Sequence, residues 1–370
     1  MIYLDSAATT LQKPLSVPFA VARAMRTASS VGRGGHAPAM AAAELAYRCR
    51  EAAAALFDAQ PEQVVFTMNA THGLNIALHS LLAAGDEVVI SGFEHNAVVR
   101  PLHALGARVT VAGRRVFDPA DTLAAFSRAI TPRTRAVVCT HVSNVYGYIL
   151  PIEAIARLCR ERGVPLIVDA SQSAGILPVQ LKSWGAAFIA MPGHKGLYGP
   201  QGTGLLLCAH PVRPLLYGGS GSLSQLPDMP EELPDRAEAG THNVCGIAGL
   251  LVGLRFVRRR GTASIFAHEC ALRRHLAGLL ADLPDVTVYA ADAAQSGVLS
   301  FTLRGADCED VARVLDANGI CVRAGLHCAP LAHESGGTLE SGTVRVSFSG
   351  YNTRRQTERL AKLLKKYPQG

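Results

Sequence analysis

Leu166-Ile167-Val168-Asp169-Ala170-Ser171-Gln172-Ser173 joins a short apolar run to a carboxylate and then to small polar residues. The run follows a stretch over residues 151–162 with helical character, and it reads as a buried strand fed by a crossover helix. The same rhythm extends outward from it. Strand-like runs stand at Val64-Val65-Phe66-Thr67, Glu87-Val88-Val89-Ile90, Arg108-Val109-Thr110-Val111 and Ala136-Val137-Val138-Cys139, and again at 186–190 and 204–208. Helical stretches are predicted at 40–57, 71–82, 95–105 and 119–130. Short apolar strands alternating with longer helices predict an α/β fold with a largely parallel sheet. In such sheets ligands gather at the carboxyl ends of the strands, so Asp169 to Ser173 marks a candidate site.

Residues 215–243 break the rhythm. They are rich in Gly, Ser and Pro and carry several acidic residues. A loop this long inside a compact domain is usually functional or mobile. Beyond it, helices are predicted at 244–260, 265–280, 309–318 and 355–366, and strands at 286–289, 298–303 and 344–348. That mixture suggests a smaller α+β domain. The expected organisation is a segment 1–20 packing on the small domain, a large domain 21–255 and a small domain 256–370.

Apolar residues are 49% of the 370-residue chain and charged residues 18%, which suits a folded protein of more than one domain and excludes a disordered one. The formal charge of +7 is dispersed, and its densest piece, residues 255–260, reads as a solvated helix face. With aromatics at only 6%, no nucleic-acid partner is expected. Nine cysteines with no CxxC pair suit neither a disulfide framework nor a zinc knuckle, so no metal is expected and the compartment reads as reducing. No apolar run is long enough to span a bilayer, and Met1-Ile2-Tyr3-Leu4-Asp5 lacks the look of a leader. A soluble cytoplasmic protein without a membrane partner is expected.

Several residues can carry chemistry. In Ala190-Met191-Pro192-Gly193-His194-Lys195-Gly196, a lysine walled by glycines follows an apolar strand. Turned inward, it would lose charge by desolvation and favour a covalent bond to a carbonyl group; an exposed turn lysine is the other reading. Asp169 can hold the protonated ring nitrogen of an electron-sink cofactor, or cap a helix. Gln172 beside it can donate to a ring oxygen. Phe66-Thr67-Met68-Asn69-Ala70-Thr71-His72-Gly73 reads as strand, turn and helix start. Free amides near Ala70 and the Thr71 hydroxyl suit a phosphate as well as ordinary capping. His95, in Phe93-Glu94-His95-Asn96, can stack on a planar ring or move protons.

Cys328 lies in Val322-Arg323-Ala324-Gly325-Leu326-His327-Cys328-Ala329-Pro330. Gly325 permits unusual backbone angles and Pro330 restricts the exit, while Arg323 and His327 are near enough in sequence to favour a thiolate. The other cysteines mostly fall in apolar runs and read as small core residues, Cys321 among them. Arg345, inside Thr343-Val344-Arg345-Val346-Ser347-Phe348, suits either the exposed face of an edge strand or a cleft where it clamps a carboxylate.

Taken in order, these segments resemble the class V aminotransferase-fold pyridoxal-phosphate enzymes, and within them the cysteine desulfurases. The resemblance runs from Tyr3-Leu4-Asp5-Ser6-Ala7-Ala8-Thr9-Thr10 to Tyr351-Asn352-Thr353 and includes Glu94-His95-Asn96, His141-Val142-Ser143-Asn144-Val145-Tyr146-Gly147, Gly193-His194-Lys195 and Gly240-Thr241-His242-Asn243. The spacing Arg323-x-Gly325-x-x-Cys328, followed by Arg345-x-Ser347-Phe348, is similar to the SufS-like branch with a short catalytic-cysteine loop. Arg33-Gly34-Gly35-His36 and Leu215-Leu216-Tyr217-Gly218-Gly219 are similar to a subgroup of that family.

The resemblance implies fold type I of the pyridoxal-phosphate transferases, with pyridoxal 5'-phosphate as cofactor, L-cysteine as substrate and a homodimer as the working unit. It implies that Lys195 holds the cofactor and moves a proton, Asp169 keeps its ring nitrogen protonated, Gln172 meets its ring oxygen and His95 stacks on it. Phosphate would fall to Ala70, Thr71, His194 and the Thr241 of a partner subunit. Asn144, Arg323 and Arg345 would meet the substrate, and Cys328 would take its sulfur and pass it to an acceptor protein. The sequence departs from the family pattern at Pro192, where Ser is common, at Ala70 (Thr), at His72 (Glu) and at His242 (Pro). The alternatives are a related lyase acting on selenocysteine or cysteine sulfinate, and a non-catalytic scaffold on the same fold.

Overall fold

A computed structural model describes residues 1–32 and 34–367. Arg33, the first residue of the motif at 33–36, lies outside the described residues. The strands are β1 (Ile2–Tyr3), β2 (Val64–Thr67), β3 (Glu87–Ser91), β4 (Arg108–Ala112), β5 (Thr134–Thr140), β6 (Leu166–Asp169), β7 (Phe188–Pro192), β8 (Gly204–Cys208), β9 (Val286–Tyr289), β10 (Val298–Leu303), β11 (Ile320–Cys321), β12 (Arg323–Gly325) and β13 (Thr343–Ser347). Seven of them form one sheet in the order β2-β8-β7-β6-β5-β3-β4. β8 is antiparallel to both its neighbours, and the remaining pairs are parallel.

Apart from the edge strand β4, whose Arg108, Val109 and Thr110 are exposed, this sheet is buried on both faces because its strands are apolar at nearly every position. Successive side chains point to opposite faces. Val64, Val89, Val137, Val168, Ile189 and Leu205 enter one core, beside Phe57, Phe126, Ile155 and Leu250. Their neighbours Val65, Val88, Val138, Ile167, Phe188 and Leu206 enter the other, beside Leu74, Ile76, Val98 and Leu102. The first core is covered by helices Ala37–Phe57, Pro119–Ala129, Ile152–Arg162 and Val244–Arg260, the second by Ala70–Leu81 and Asn96–Ala104.

A second, four-stranded sheet runs β12-β13-β10-β9, with helices Thr262–Ala281, Cys308–Ala317 and Arg354–Leu364 nearby. The chain start crosses to it: β1 pairs with β11, and Leu4 is fully buried among Leu276, Phe301, Val311 and Val346. Helix Ser16–Thr27 then packs against Val244–Arg260. The sequence reading lacked that helix, β1, β11, β12 and helix Pro330–Gly336. The strand expected at 186–190 lies at Phe188–Pro192.

The irregular stretch 215–243 is tied down by a buried ion pair. Arg50 donates from Nη1 to Glu238 Oε1 at 2.8 Å and from Nη2 to Oε2 at 2.6 Å. Glu238 also accepts from the Phe66 amide at 2.6 Å and stands 2.5 Å from His242 Nε2. Burial alone would raise its carboxyl pKa, but the contacts from His242 and Arg50 reverse that and hold it below the usual range. With the folded value below the unfolded one, the stabilisation is present above the ordinary carboxylate range and is lost as pH falls through the folded value. Removing one partner strands the other charge. Glu238→Ala should therefore cost about 3–5 kcal/mol in urea unfolding at neutral pH. The gap to the native protein should narrow as the pH drops below about 4. An unchanged unfolding midpoint would contradict this account.

Candidate active site

The C-terminal ends of the large sheet's parallel strands converge on one cavity of about 90 Å³, lined by Ala70, Thr71, His95, Asn144, Asp169, Gln172, His194 and Lys195. Each residue arrives by a local device. Asp169 is the last residue of β6, and its Oδ1 accepts the Ser171 amide at 2.9 Å. The helix-cap reading is set aside, because among the described residues the irregular turn at 170–175 follows it, with the first helix at Leu181–Trp184.

Lys195 follows β7 on a loop that needs its two glycines. A Cβ on Gly193 would collide with Thr203 Oγ1, and one on Gly196 with the Ala174 carbonyl. Among the described residues, no side-chain hydrogen bond fixes Lys195 Nζ. Burial lowers its pKa to about 8, opposed by Asp169 and assisted by Arg345 and Arg323. Lys195 is half-buried and lines the cavity, so it is not an exposed turn lysine. The N-terminal segment braces the loop: the Thr10 amide and hydroxyl donate to the His194 carbonyl at 3.1 and 3.0 Å, and Thr9 Oγ1 lies 3.1 Å from His194 Nδ1.

His95 caps helix Asn96–Ala104 by accepting the Ala97 amide at Nδ1, 3.0 Å away. Burial lowers its pKa to about 4, so at neutral pH the ring is uncharged and its proton sits on Nε2. Gln172 Nε2 donates to the Ala7 carbonyl at 2.9 Å, leaving one hydrogen of that amide for a ligand. Thr241 is exposed and lines a separate cavity of about 210 Å³ with Phe66, Glu238 and His242. Within one chain it is not brought to Lys195.

Cys328 is exposed. His327 and Cys328 both lie in the left-handed region, with φ of 53° and 58°. Such angles cost non-glycine residues about 1 kcal/mol or more each. They are held from the large-sheet side: Asn144 Nδ2 donates to the His327 carbonyl at 2.8 Å, and the Asn96 amide to the Cys328 carbonyl at 2.8 Å. Arg323 Nη2 stands 3.6 Å from Cys328 Sγ.

His327 does not supply the second cation expected beside that sulfur. Burial lowers its pKa to about 2, and its ring stacks on His333, with Nδ1 3.4 Å from His333 Nε2. From there a buried chain continues through Thr338 Oγ1 (2.7 Å) to the Tyr146 hydroxyl (2.6 Å). Cys321, expected in the core, is only half-buried.

Arg345 is 1% exposed, and β13 lies between β12 and β10, so the edge-strand reading is overturned. Its Nη1 donates to the Asn144 carbonyl at 3.0 Å and its Nη2 to Asp5 Oδ1 at 2.6 Å. Asp5, His333 and Glu94 were missed by sequence reasoning. Glu94 is fully buried, accepts the Thr140 amide at 2.7 Å, and has its pKa raised to about 8 by burial. Only its place beside His95 could have drawn attention to it.

The cavity fits pyridoxal phosphate on three counts. Among the described residues, the Asp169 carboxylate accepts its hydrogen bond on Oδ1, which leaves Oδ2 for a protonated ring nitrogen. Lys195 offers an amine whose charge is weakened. The amides of Ala70 and Thr71, at the first two positions of helix Ala70–Leu81, have no intrahelical acceptor and are suited to hold an anion. Gly204 makes that turn possible, since a Cβ there would meet the Asn69 backbone at 2.8 Å. Pro192 offers neither hydroxyl nor amide, so phosphate would rest on the helix amides, Thr71 and His194.

Comparison with known proteins agrees with this geometry. A protein of Methanothermobacter thermautotrophicus named a probable cysteine desulfurase is 34% identical over 98% of this chain and 94% of its own length. A cysteine desulfurase of Klebsiella pneumoniae is 34% identical over 97% of this chain and 91% of its own. The apo structure of a cysteine desulfurase from Thermococcus onnurineus superposes with a TM-score of 0.90 at 30% identity, covering 99% of this chain and 94% of that one. The class-V aminotransferase pattern matches residues 2–360, and the chain belongs to that family.

Proposed function

We propose that this protein is a pyridoxal-phosphate-dependent cysteine desulfurase that converts L-cysteine to L-alanine and receives the sulfur on Cys328. The observation that carries the reading is that the loop of an exposed cysteine is pinned by Asn144, which lines the lysine cavity, and by Asn96, the neighbour of the cavity-lining His95. A transaminase has no use for a thiol held there.

When bound, the cofactor supplies an electron sink for charge developing at the substrate's α-carbon. Lys195 would hold the cofactor, and its Nζ would take and return the substrate's α-proton. Asp169 Oδ2 would keep the ring nitrogen protonated. His95, neutral with its proton on Nε2, would pack against the ring and orient it. Arg345 receives the substrate carboxylate, with Asn144 and Arg323 beside it. Cys328 Sγ attacks the substrate sulfur: an S–S bond forms, the substrate's C–S bond breaks, and the carbon left behind takes a proton. The balance is L-cysteine plus enzyme thiol giving L-alanine plus enzyme persulfide, with no external oxidant or reductant.

The working unit is proposed to be a homodimer, in which a partner's Thr241-type hydroxyl completes the phosphate site. Thr241 faces a cavity away from its own Lys195, which accords with service to a second copy. The protein is proposed to act in the cytoplasm and to pass its sulfur to an acceptor protein. Among the described residues, no helix is long and apolar enough to cross a membrane.

Three outcomes test this reading. With L-cysteine and a thiol reductant, the native holoenzyme should release alanine, and Cys328→Ala should lose at least about 100-fold while keeping its yellow colour. Equal turnover by both, or turnover of selenocysteine or cysteine sulfinate without L-cysteine, would replace the desulfurase by the related lyase. Asp169→Ala should retain cofactor poorly and lose at least about 100-fold in kcat; full activity would remove Asp169 from the site. Sedimentation should show an active dimer, and a fully active monomer would end the composite-site proposal.

A further inference from the structure

Asp5 occupies one side of the Arg345 guanidinium, and nothing in the reaction described above accounts for it. The ion pair is tight, at 2.6 Å, and Arg345 is 1% exposed. Its Nη1 is taken by the Asn144 carbonyl, while Nε is buried with no acceptor among the described residues. A guanidinium carries five N–H donors, so part of this fork is left for a group the chain does not provide. Across the strand pair, Arg345 stands directly opposite Arg323. Like charges so placed repel, and Asp5 is the carboxylate that offsets them.

The backbone of Asp5 is placed independently of its side chain. It forms a parallel bridge with Ser347, and its carbonyl accepts the Tyr3 hydroxyl and the Ala8 amide, both at 3.1 Å. The carboxylate is therefore presented to Arg345 by a braced segment.

Resting on the reading that Arg345 receives the substrate carboxylate, we propose that Asp5 is a positioning residue that shares Arg345 with that carboxylate and so limits how tightly substrate and product are held. L-Alanine carries the same α-amino and α-carboxylate groups as L-cysteine. A bare buried guanidinium would retain the product as firmly as it captures the substrate. With Asp5 in place the incoming carboxylate meets a pair that is already neutral, and its attraction is reduced. Asp5 and the Asn144 carbonyl also fix two points of the planar fork, so the remaining donors keep one direction.

The test is Asp5→Asn in the holoenzyme. Asparagine keeps the shape and an oxygen that accepts from Nη2, and loses only the charge. KM for L-cysteine and the inhibition constant of L-alanine should both fall, roughly five- to ten-fold. kcat should fall with them as product leaves more slowly. Titration of L-alanine followed by the holoenzyme's absorbance should give the same shift without turnover. Asp5→Ala, which loses the hold as well as the charge, should raise KM. Unchanged or weaker alanine binding in a folded Asp5→Asn protein overturns the proposal. Arg345→Lys separates this from the reading beneath it. If Arg345→Lys binds alanine like the native enzyme, the role of Arg345 fails and the proposal with it. If Arg345→Lys weakens alanine about ten-fold or more and Asp5→Asn changes nothing, only Asp5 has been misread.

Discussion

Every strand of the large sheet except β8 runs the same way, and the site follows from that constraint. Parallel strands need crossover helices, and the helices bury both faces of the sheet. The carboxyl ends are then the edge where irregular backbone can carry function. β2 delivers the turn before helix Ala70–Leu81, β3 delivers Glu94 and His95, β6 ends on Asp169, and β7 leads into Lys195. A helix N-terminus, a carboxylate, an imidazole and an amine thus arrive at one cavity from distant parts of the chain. Burial gives them their chemistry by pushing the amine down toward neutrality and keeping the imidazole uncharged.

The small sheet contributes what the large one lacks. β12 and β13 set Arg323 and Arg345 opposite each other, and the loop after β12 carries the thiol. Its two left-handed residues are held by donors from the large-sheet side, so the strained loop depends on the packing of the two sheets against each other. The N-terminal segment is a third participant. It pairs with β11, offers Asp5 to Arg345, and braces the lysine loop through Thr9 and Thr10.

The large sheet was legible because its strands are short apolar runs between helices, and burial of the central strands on both faces leaves no competing pattern there. Asp169 and Lys195 were legible because strand ends in such a sheet are where ligands sit. The order of motifs then carried the family resemblance. β1, β11 and β12 were not legible, being two or three residues long and stabilised by pairing far along the chain. The burial of Arg345 was hidden for a related reason: alternating Val-Arg-Val suits an exposed edge as well as a central strand, and only the position of β10 and β12 decides. His327 misled because a nearby histidine looks like a cation until burial against His333 makes it neutral. Asp5 could not be read as Arg345's partner, since they lie 340 residues apart.

The central claim is that sulfur moves from the substrate to Cys328. The most direct measurement is mass spectrometry of the holoenzyme after a brief exposure to L-cysteine without reductant, with thiols trapped by alkylation before digestion. The account predicts one additional sulfur atom on the peptide containing Cys328, accompanied by L-alanine in equal amount. Alanine formed without added sulfur on that peptide, or sulfur carried instead by Cys245 or Cys321, would contradict it.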